Sequence, residues 1–381
     1  MKYKISDVAD VISEREENPS RSNYDRFVGL EHYVSGDVVI NNYGSTEKLE
    51  SAMKVFKSGD ILIARRNVYL KRASVVFFDG LTSGDSIVLR PRTVIMGRLL
   101  PFIFNTIDFW DFADKHADGT MSKRLSPKTL MEYEFQLSGE AEPDNLANLL
   151  WAATETKEAY KKLLVMTDEL VKSQFIEMLK KSGISDESYV ELQSVCTRLP
   201  QNGIYKKDMG KLANARIAKM KQLFTDRPVC EETGMDDIFL TAKEMDTFRL
   251  TKDDLLFGRR SIVEEGAGKC SLVGEIGDDV VFESSILRIT LDTNVTLPIW
   301  LFYWFKSNEG KTAVKRIRNV VTIAGIKGSD LKKIRVPVIE LELQNRFAEF
   351  VQQADKSKFE LQQTLNNFEN MISSLLHTSL S

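Results

Sequence analysis

Along most of the chain apolar residues fall in short runs, and in two longer stretches they recur at helical spacing. The short runs come in matched pairs. "GDILIARR" (59–66) and "DDLLFGRR" (253–260) each set an acidic residue, an apolar run and two arginines in that order. Polar and small residues follow each pair, and then a second apolar run, "ASVVFF" in one case and "CSLVGE" in the other. The pattern predicts a strand, an arginine pair and a strand, built twice. Pro101 opens "PFIFNTIDFWDFADK" and Pro298 opens "PIWLFYWFKSNEGK", each predicting a helix packed on a sheet. Next come "SPKTLMEYEFQL" (126–137) and "KGSDLKKIRVPV" (327–338). A shift of 201 residues pairs Leu130 with Leu331, Tyr133 with Ile334 and Phe135 with Val336, an alternation that predicts a strand.

The same shift continues into two helical stretches, roughly 144–181 and 341–378, pairing Leu146 with Phe347, Leu149 with Phe350 and Ala153 with Ala354. In the second stretch, alternate steps of four and three visit Leu343, Phe347, Phe350, Ala354, Ser357, Leu361, Thr364, Phe368, Met371 and Leu375. A period near 3.5 predicts a coiled-coil seam. The first stretch keeps it less strictly. Packing is therefore expected from Leu146, Leu149, Tyr160, Leu163 and Leu170 on one helix, and from Phe347, Phe350, Leu361, Phe368 and Met371 on the other. The expected organisation is a globular unit (1–143), a long helix (144–182), a second unit (183–340) and a second long helix (341–381). The fold class is α+β, with two similar α/β units and a pair of long helices. Paired as an antiparallel coiled coil the helices give a pseudo-two-fold internal repeat, whereas the alternative packs each helix on its own unit. A period near 200 residues is too long for a solenoid.

Length and composition change this picture little. At 381 residues two or three domains are expected. The net charge of -3 excludes a uniformly basic nucleic-acid coat, but not local basic faces. "LPIWLFYWF" (297–305) is about half the length a bilayer crossing needs. No charged segment followed by an apolar stretch opens the chain, so a cytoplasmic protein that crosses no membrane is expected. Cys196, Cys230 and Cys270 are scattered, without a CxxC, which suits a reducing compartment. His32, His116 and His377 lie far apart and suggest no metal site.

Basic residues gather locally. Between Lys306 and Arg335, nine lysines and arginines stand against only Glu309 and Asp330. In the first unit the groups are Arg65, Arg66, Lys71 and Arg72; Arg90, Arg92 and Arg98; and Lys123, Arg124 and Lys128. The second long helix is predominantly acidic. Cationic faces on a near-neutral chain suit DNA, because neutralising phosphates releases counterions, and arginine forks match guanine edges.

Little in the sequence points to catalysis. "PDNLANLLWAATETK" sets Pro143, Asp144, Glu155 and Lys157 in an apparent PD…ExK order, but on a helix, with the carboxylates about 16 Å apart. "EEGAGK" (264–269) lacks the phosphate-loop spacing. Neither an Asn/Asp-Pro-Pro-aromatic motif nor a Gly-rich cofactor loop after a strand is present.

The pattern resembles the specificity subunit of type I restriction–modification enzymes. "RFVGLEHYVSGDVVI" (26–40) resembles the opening of a target-recognition domain, and "LPQNGIYKK" (199–207) the start of a second. The two arginine elements resemble the strand-and-arginine element of such domains. "TDELVKSQFIEML" (167–179) resembles the end of the central conserved helix, and "QNRFAEFVQQADKSKFELQQTL" (344–365) resembles the C-terminal conserved helix. The resemblance implies two recognition domains, each reading half of a bipartite gapped sequence in double-stranded DNA. It also implies helices that set the spacer and recruit two methylation subunits. Those partners would bring S-adenosylmethionine chemistry on adenine, and restriction subunits would bring ATP- and Mg-dependent cleavage. The chain itself would be non-catalytic and hold no cofactor or metal. One departure stands out: "RVPVIELELQNRF" leads into the second helix, whereas "EFQLSGEAEPDNLANLL" in the first unit lacks the equivalent proline and glutamine.

The expected DNA contacts are Arg65, Arg66, Lys71, Arg72, Arg259, Arg260 and Lys269, followed by Lys123, Arg124, Lys315, Arg316 and Arg318. Many are expected to hold phosphates and not bases. Two alternatives stay open: a stand-alone bipartite DNA-binding regulator or scaffold, and a nuclease using Asp144 and Glu155.

Overall fold

A computed structural model describes residues 1–120, 122–138, 142–206, 213–225, 228–230, 234–320 and 322–380. Lys207, at the end of "LPQNGIYKK", and residues 139–141, in the lead-in to the first long helix, lie outside the described residues. The chain forms two compact units: Met1–Lys162 with Leu361–Ser381, and Leu163–Glu360.

The first unit is organised on a four-stranded antiparallel sheet. Its strands are Ala9–Ile12 (β1), Ile61–Ala64 (β2), Ala73–Val75 (β3) and Ser86–Pro91 (β4), in the order β1-β4-β2-β3. All of β2 is buried, so its apolar residues run on without a break. Ile61 and Ile63 face a core shared with Leu99, Phe102, Phe109 and Trp110 of two covering helices. Leu62 and Ala64 face the other way, toward Val28, Phe56 and Val76. A parallel pair, Arg26–Val28 with Gly80–Thr82, belongs to the sheet on that side. Lys2–Lys4 pairs antiparallel with Glu134–Gln136.

The second unit repeats this plan. Its strands Cys196–Asn202 (β5), Leu255–Gly258 (β6), Cys270–Leu272 (β7) and Ile286–Leu291 (β8) lie in the order β5-β8-β6-β7. Leu255 and Phe257 share a core with Trp300, Leu301 and Trp304, while Leu256 faces Ala218, Leu223 and Phe282. The parallel pair recurs as Ala215–Ala218 with Val280–Phe282, and the outer antiparallel pair as Tyr189–Glu191 with Arg335–Pro337.

Two sequence expectations need correction. Each proline-led segment holds two helices, not one: Val94–Ile103 and Ile107–His116 in the first unit, Pro298–Lys306 and Asn308–Ile317 in the second. The break comes from hydroxyl caps. Thr106 Oγ1 accepts from the Phe109 amide at 3.3 Å, and Ser307 Oγ from the Gly310 amide at 3.2 Å. Pro298 starts its helix whereas Pro101 lies in the last turn of its own, so the two prolines are not equivalent. The segments 126–137 and 327–338 are strands only at Glu134–Gln136 and Arg335–Pro337; short helices, Pro127–Met131 and Gly328–Leu331, precede them.

The long helices are Pro143–Lys181 and Leu341–Ser379, 39 residues each. In the first unit Tyr160 packs on Phe368 with ring centroids 5.8 Å apart, and Lys157 pairs with Glu369 at 3.0 Å. In the second unit Asp168 pairs with Lys358 at 3.1 Å and Phe175 packs on Phe347 at 5.3 Å. Within each unit partner numbers fall as helix numbers rise, so the pair is antiparallel. Gln344 docks the second helix. Its buried amide oxygen accepts from the Leu297 amide at 2.7 Å, and its nitrogen donates to the Ile339 carbonyl at 2.8 Å. This is the glutamine that the first unit lacks.

Candidate nucleic-acid interface

Each arginine pair leaves the end of a buried strand, and the backbone there is held identically in both units. The Arg65 amide donates to the Asp85 carbonyl at 2.9 Å, and the Arg65 carbonyl accepts from the Leu125 amide at 2.8 Å. The Arg259 amide donates to the Ser285 carbonyl at 2.7 Å, and the Arg259 carbonyl accepts from the Ile326 amide at 3.0 Å. Arg66 bridges Arg124, and Arg260 pairs with Gly325. Every partner is offset by 200 or 201 residues, so the duplicated sequence is a duplicated hydrogen-bond frame. The following loops diverge. In the first unit Asn67 (φ 56°) and Lys71 (φ 49°) both take the left-handed conformation, bracketing Val68–Leu70.

The side chains divide into those that brace the frame and those that face outward. Arg72 donates to the Leu30 and Arg66 carbonyls at 2.9 and 3.2 Å, and Arg259 to the Ser284 carbonyl at 3.1 Å. Burial, and then the charge of Arg260, holds the Arg259 pKa below its ordinary value. Lys123 is tied to Asp114 at 2.7 Å. Arg318 donates to the Ala267 carbonyl at 2.9 Å and pairs with Glu264 at 3.5 Å. Lys269 lies over the Phe224 ring at 5.0 Å. Arg65 is half-buried. Lys71, Arg260, Lys315 and Arg316 are exposed, as are Arg66 and Arg124, which share Asp85 at 3.7 and 3.6 Å.

The fold adds residues that were not singled out as contacts. Lys54 donates to the Ser86 carbonyl at 2.7 Å, and burial together with Arg65 lowers its pKa. Lys306 and Lys311 join Lys269, Lys315 and Arg318 around a cavity of about 470 Å³. Asn202 and Asn319 share a second cavity, about 560 Å³, with Arg259 and Arg260. They are far apart in sequence, and isolated asparagines carry no signal there.

Along the helices the buried or half-buried stripe runs through Ala147, Leu150, Thr154, Lys157, Leu164, Val171, Phe175 and Met178, and through Phe347, Val351, Ala354, Leu365 and Ile372. Ala147 and Leu150 belong to the core of the first unit, and Val171, Phe175, Met178, Phe347, Val351 and Ala354 to that of the second. Tyr160, Phe347, Leu361 and Phe368 of the expected set are buried or half-buried. Leu146 and Phe350 join the cores of the first and second units respectively. Leu149, Leu163, Leu170 and Met371 point outward. As for the nuclease-like residues, Asp144 is exposed and Lys157 is tied to Glu369. No group of three metal-ligating side chains occurs among the described residues, and no described helix is long and apolar enough to cross a membrane.

Residues 204–368 match a family model described as the type I restriction modification DNA specificity domain. None of the curated proteins compared matches the chain by sequence. Among solved structures, an S subunit of the type I restriction-modification system from M. genitalium is 12% identical, with a TM-score of 0.54. The alignment covers 100% of this chain and 96% of that one. A chain from a study of complex assembly and conformational transition of the type I R-M system is 14% identical, also with a TM-score of 0.54. It covers 100% of this chain and 97% of that one. At these identities the likeness establishes the fold.

Proposed function

We infer that this chain is a type I restriction–modification specificity subunit, each of whose two units reads one half of a bipartite DNA target. The observation that carries this is the arginine element, held by the same backbone bonds in both units, in a chain whose residues 204–368 match a DNA specificity domain. One frame carrying two different loops suits a target with two different halves. The outward cations Arg66, Lys71, Arg124, Arg260, Lys315 and Arg316 meet the duplex, mostly at phosphates. Arg65, Arg72, Lys123, Arg259, Lys269 and Arg318 hold the loops that carry them. The long helices set the gap between half-sites and bind two methylation subunits on their outer faces. Recognition domains of 1–143 and 183–340, with helices 144–182 and 341–381, are the division this role suggests. The chain performs no chemistry itself. Methylation subunits use S-adenosylmethionine, and restriction subunits use ATP and Mg.

Sequencing of DNA methylation in the host genome, with and without the gene, tests this reading. A gapped two-part motif that loses adenine methylation on deletion is the expected result. An unchanged methylome, in cells where the methylation subunits are expressed, sinks it.

A further inference from the structure

The hairpin facing each arginine pair occupies the same place in both units but carries opposite chemistry. In the first unit residues 118–124 read DGTMSKR, polar and basic on either side of one methionine; shifted by 201, residues 319–325 read NVVTIAG. In the second unit Arg260 pairs with Gly325 and Ser261 with Ala324. Continuing that antiparallel register by one sets Ile262 opposite Ile323. Neither is covered by the fold: Ile262 is 92% exposed and Ile323 55%. Val263 and Val320, beside them, are also exposed. Branched aliphatic side chains at a hairpin tip lose nothing by leaving the core, yet remain unfavourably hydrated until something apolar covers them.

Charge indicates what covers the tip. Ile323 lines the cavity of about 560 Å³ with Arg259, Arg260, Asn202, Asn319 and Lys327, and among the described residues no carboxylate lines it. Glu264, on the loop after Ile262, is held by Arg318 at 3.5 Å. An apolar tip beside arginines and asparagines matches the edge of an A·T-containing major groove. There thymine offers the one apolar group among the base edges, its C5 methyl. We propose that Ile262 and Ile323 form a thymine-methyl sensor, giving the second unit a half-site with at least one obligatory thymine contact. The hairpin of the first unit has no such pair. This rests on the DNA-specificity reading above and names what one of its two units reads.

The test uses the chain assembled with its methylation subunits, and duplexes bearing the motif found by methylation sequencing. Each thymine of the second half-site is replaced in turn by deoxyuridine, which removes only the methyl group. At one position at least, binding weakens about fourfold, the change that burying one methyl group corresponds to. Ile262→Ala weakens binding to the thymine duplex by a similar factor and abolishes the thymine–deoxyuridine difference. Discrimination at the first half-site stays unchanged, which shows that the variant is folded, and Ile323→Ala repeats the result. The proposal is overturned if the second half-site is specified by G·C pairs alone, or if no deoxyuridine changes affinity by as much as twofold. It is equally overturned if Ile262→Ala lowers affinity but leaves the deoxyuridine effect intact, as a wedge between base steps would. A methylome indifferent to this gene defeats the specificity reading itself, before any deoxyuridine duplex is made.

Discussion

Asp60 and Asp254, the acidic residues ahead of the two buried strands β2 and β6, are structural, and both are buried. Asp60 accepts from the Lys57 amide at 2.8 Å and takes a two-pronged bond from Arg90 at 2.7 and 2.8 Å. Asp254 accepts from the Thr251 amide at 2.8 Å and from the Thr290 hydroxyl at 2.5 Å. Each carboxylate closes the turn that aims its strand, and so sets where the arginine pair emerges. Asp254→Ala leaves the part-buried Thr251 amide and Thr290 hydroxyl without their acceptor and is expected to cost roughly 1–3 kcal/mol. Urea denaturation of the purified chain measures it, and a change below about 0.5 kcal/mol, the size of an ordinary surface substitution, would contradict this role. A second carboxylate gives a pH signature. Hydrogen bonds from Lys219 and Lys221 lower the Asp236 pKa from 3.8 to about 2. A folded pKa below the unfolded one means the contribution is present above the unfolded value and lost as pH falls through the folded one. The stability gap between the native chain and Asp236→Asn should therefore be constant near neutrality and close between about pH 4 and pH 2. A gap that persists to pH 2 would show that the ion pairs contribute nothing.

At the scale of the element, the long helices show what periodicity leaves open. Leu149 stands beside Leu150, Leu163 beside Leu164, Leu170 beside Val171, and Met371 beside Ile372. Two seams one residue apart, about 100° around the helix, are nearly equal in hydrophobicity. Partner helices and the unit cores select one of them. Leu170 is 54% exposed whereas Val171 is 1% exposed. Phe175→Ala is expected to cost about 3–5 kcal/mol, because Phe175 packs on Trp300 at 4.6 Å as well as on Phe347. Leu170→Ala should stay within about 0.5 kcal/mol. Equal losses in chemical denaturation would mean the seam runs along the other face. The outward leucines are where methylation subunits are expected to bind, so Leu170→Ala should weaken that association while leaving the isolated chain's melting unchanged.

For the whole molecule, the duplication carries the prediction. Inserting one heptad into each long helix, at 162/163 and 360/361, keeps the seam in phase. A heptad adds about 10.5 Å, roughly three base pairs at 3.4 Å each. The methylated motif should keep both half-sites and change its spacer by that amount; an unchanged spacer would count against the helices as the ruler. The shift of 201 residues, the strand–arginine–strand element and the two long helices are all legible from the order of apolar and charged residues, whereas antiparallel pairing of the helices stood there as one of two packings. They are local or repeated signals, and a repeat lets one copy corroborate the other. What the sequence could not determine depends on distance in space. Pro101 and Pro298 looked equivalent because hydrophobic content was the same, but hydroxyl caps at Thr106 and Ser307 set the helix boundaries. Arg72 and Arg318 read in sequence like the other expected cations, and only the fold shows that each donates to a backbone carbonyl from a distant segment. Ile262 and Ile323, 61 positions apart, become one feature only when β-pairing brings Arg260 to Gly325. Sequence periodicity determined which elements exist, since it reflects which face each must bury. The tertiary structure alone decided which of two adjacent faces was buried and which arginines stayed free, because both depend on partners brought close by folding.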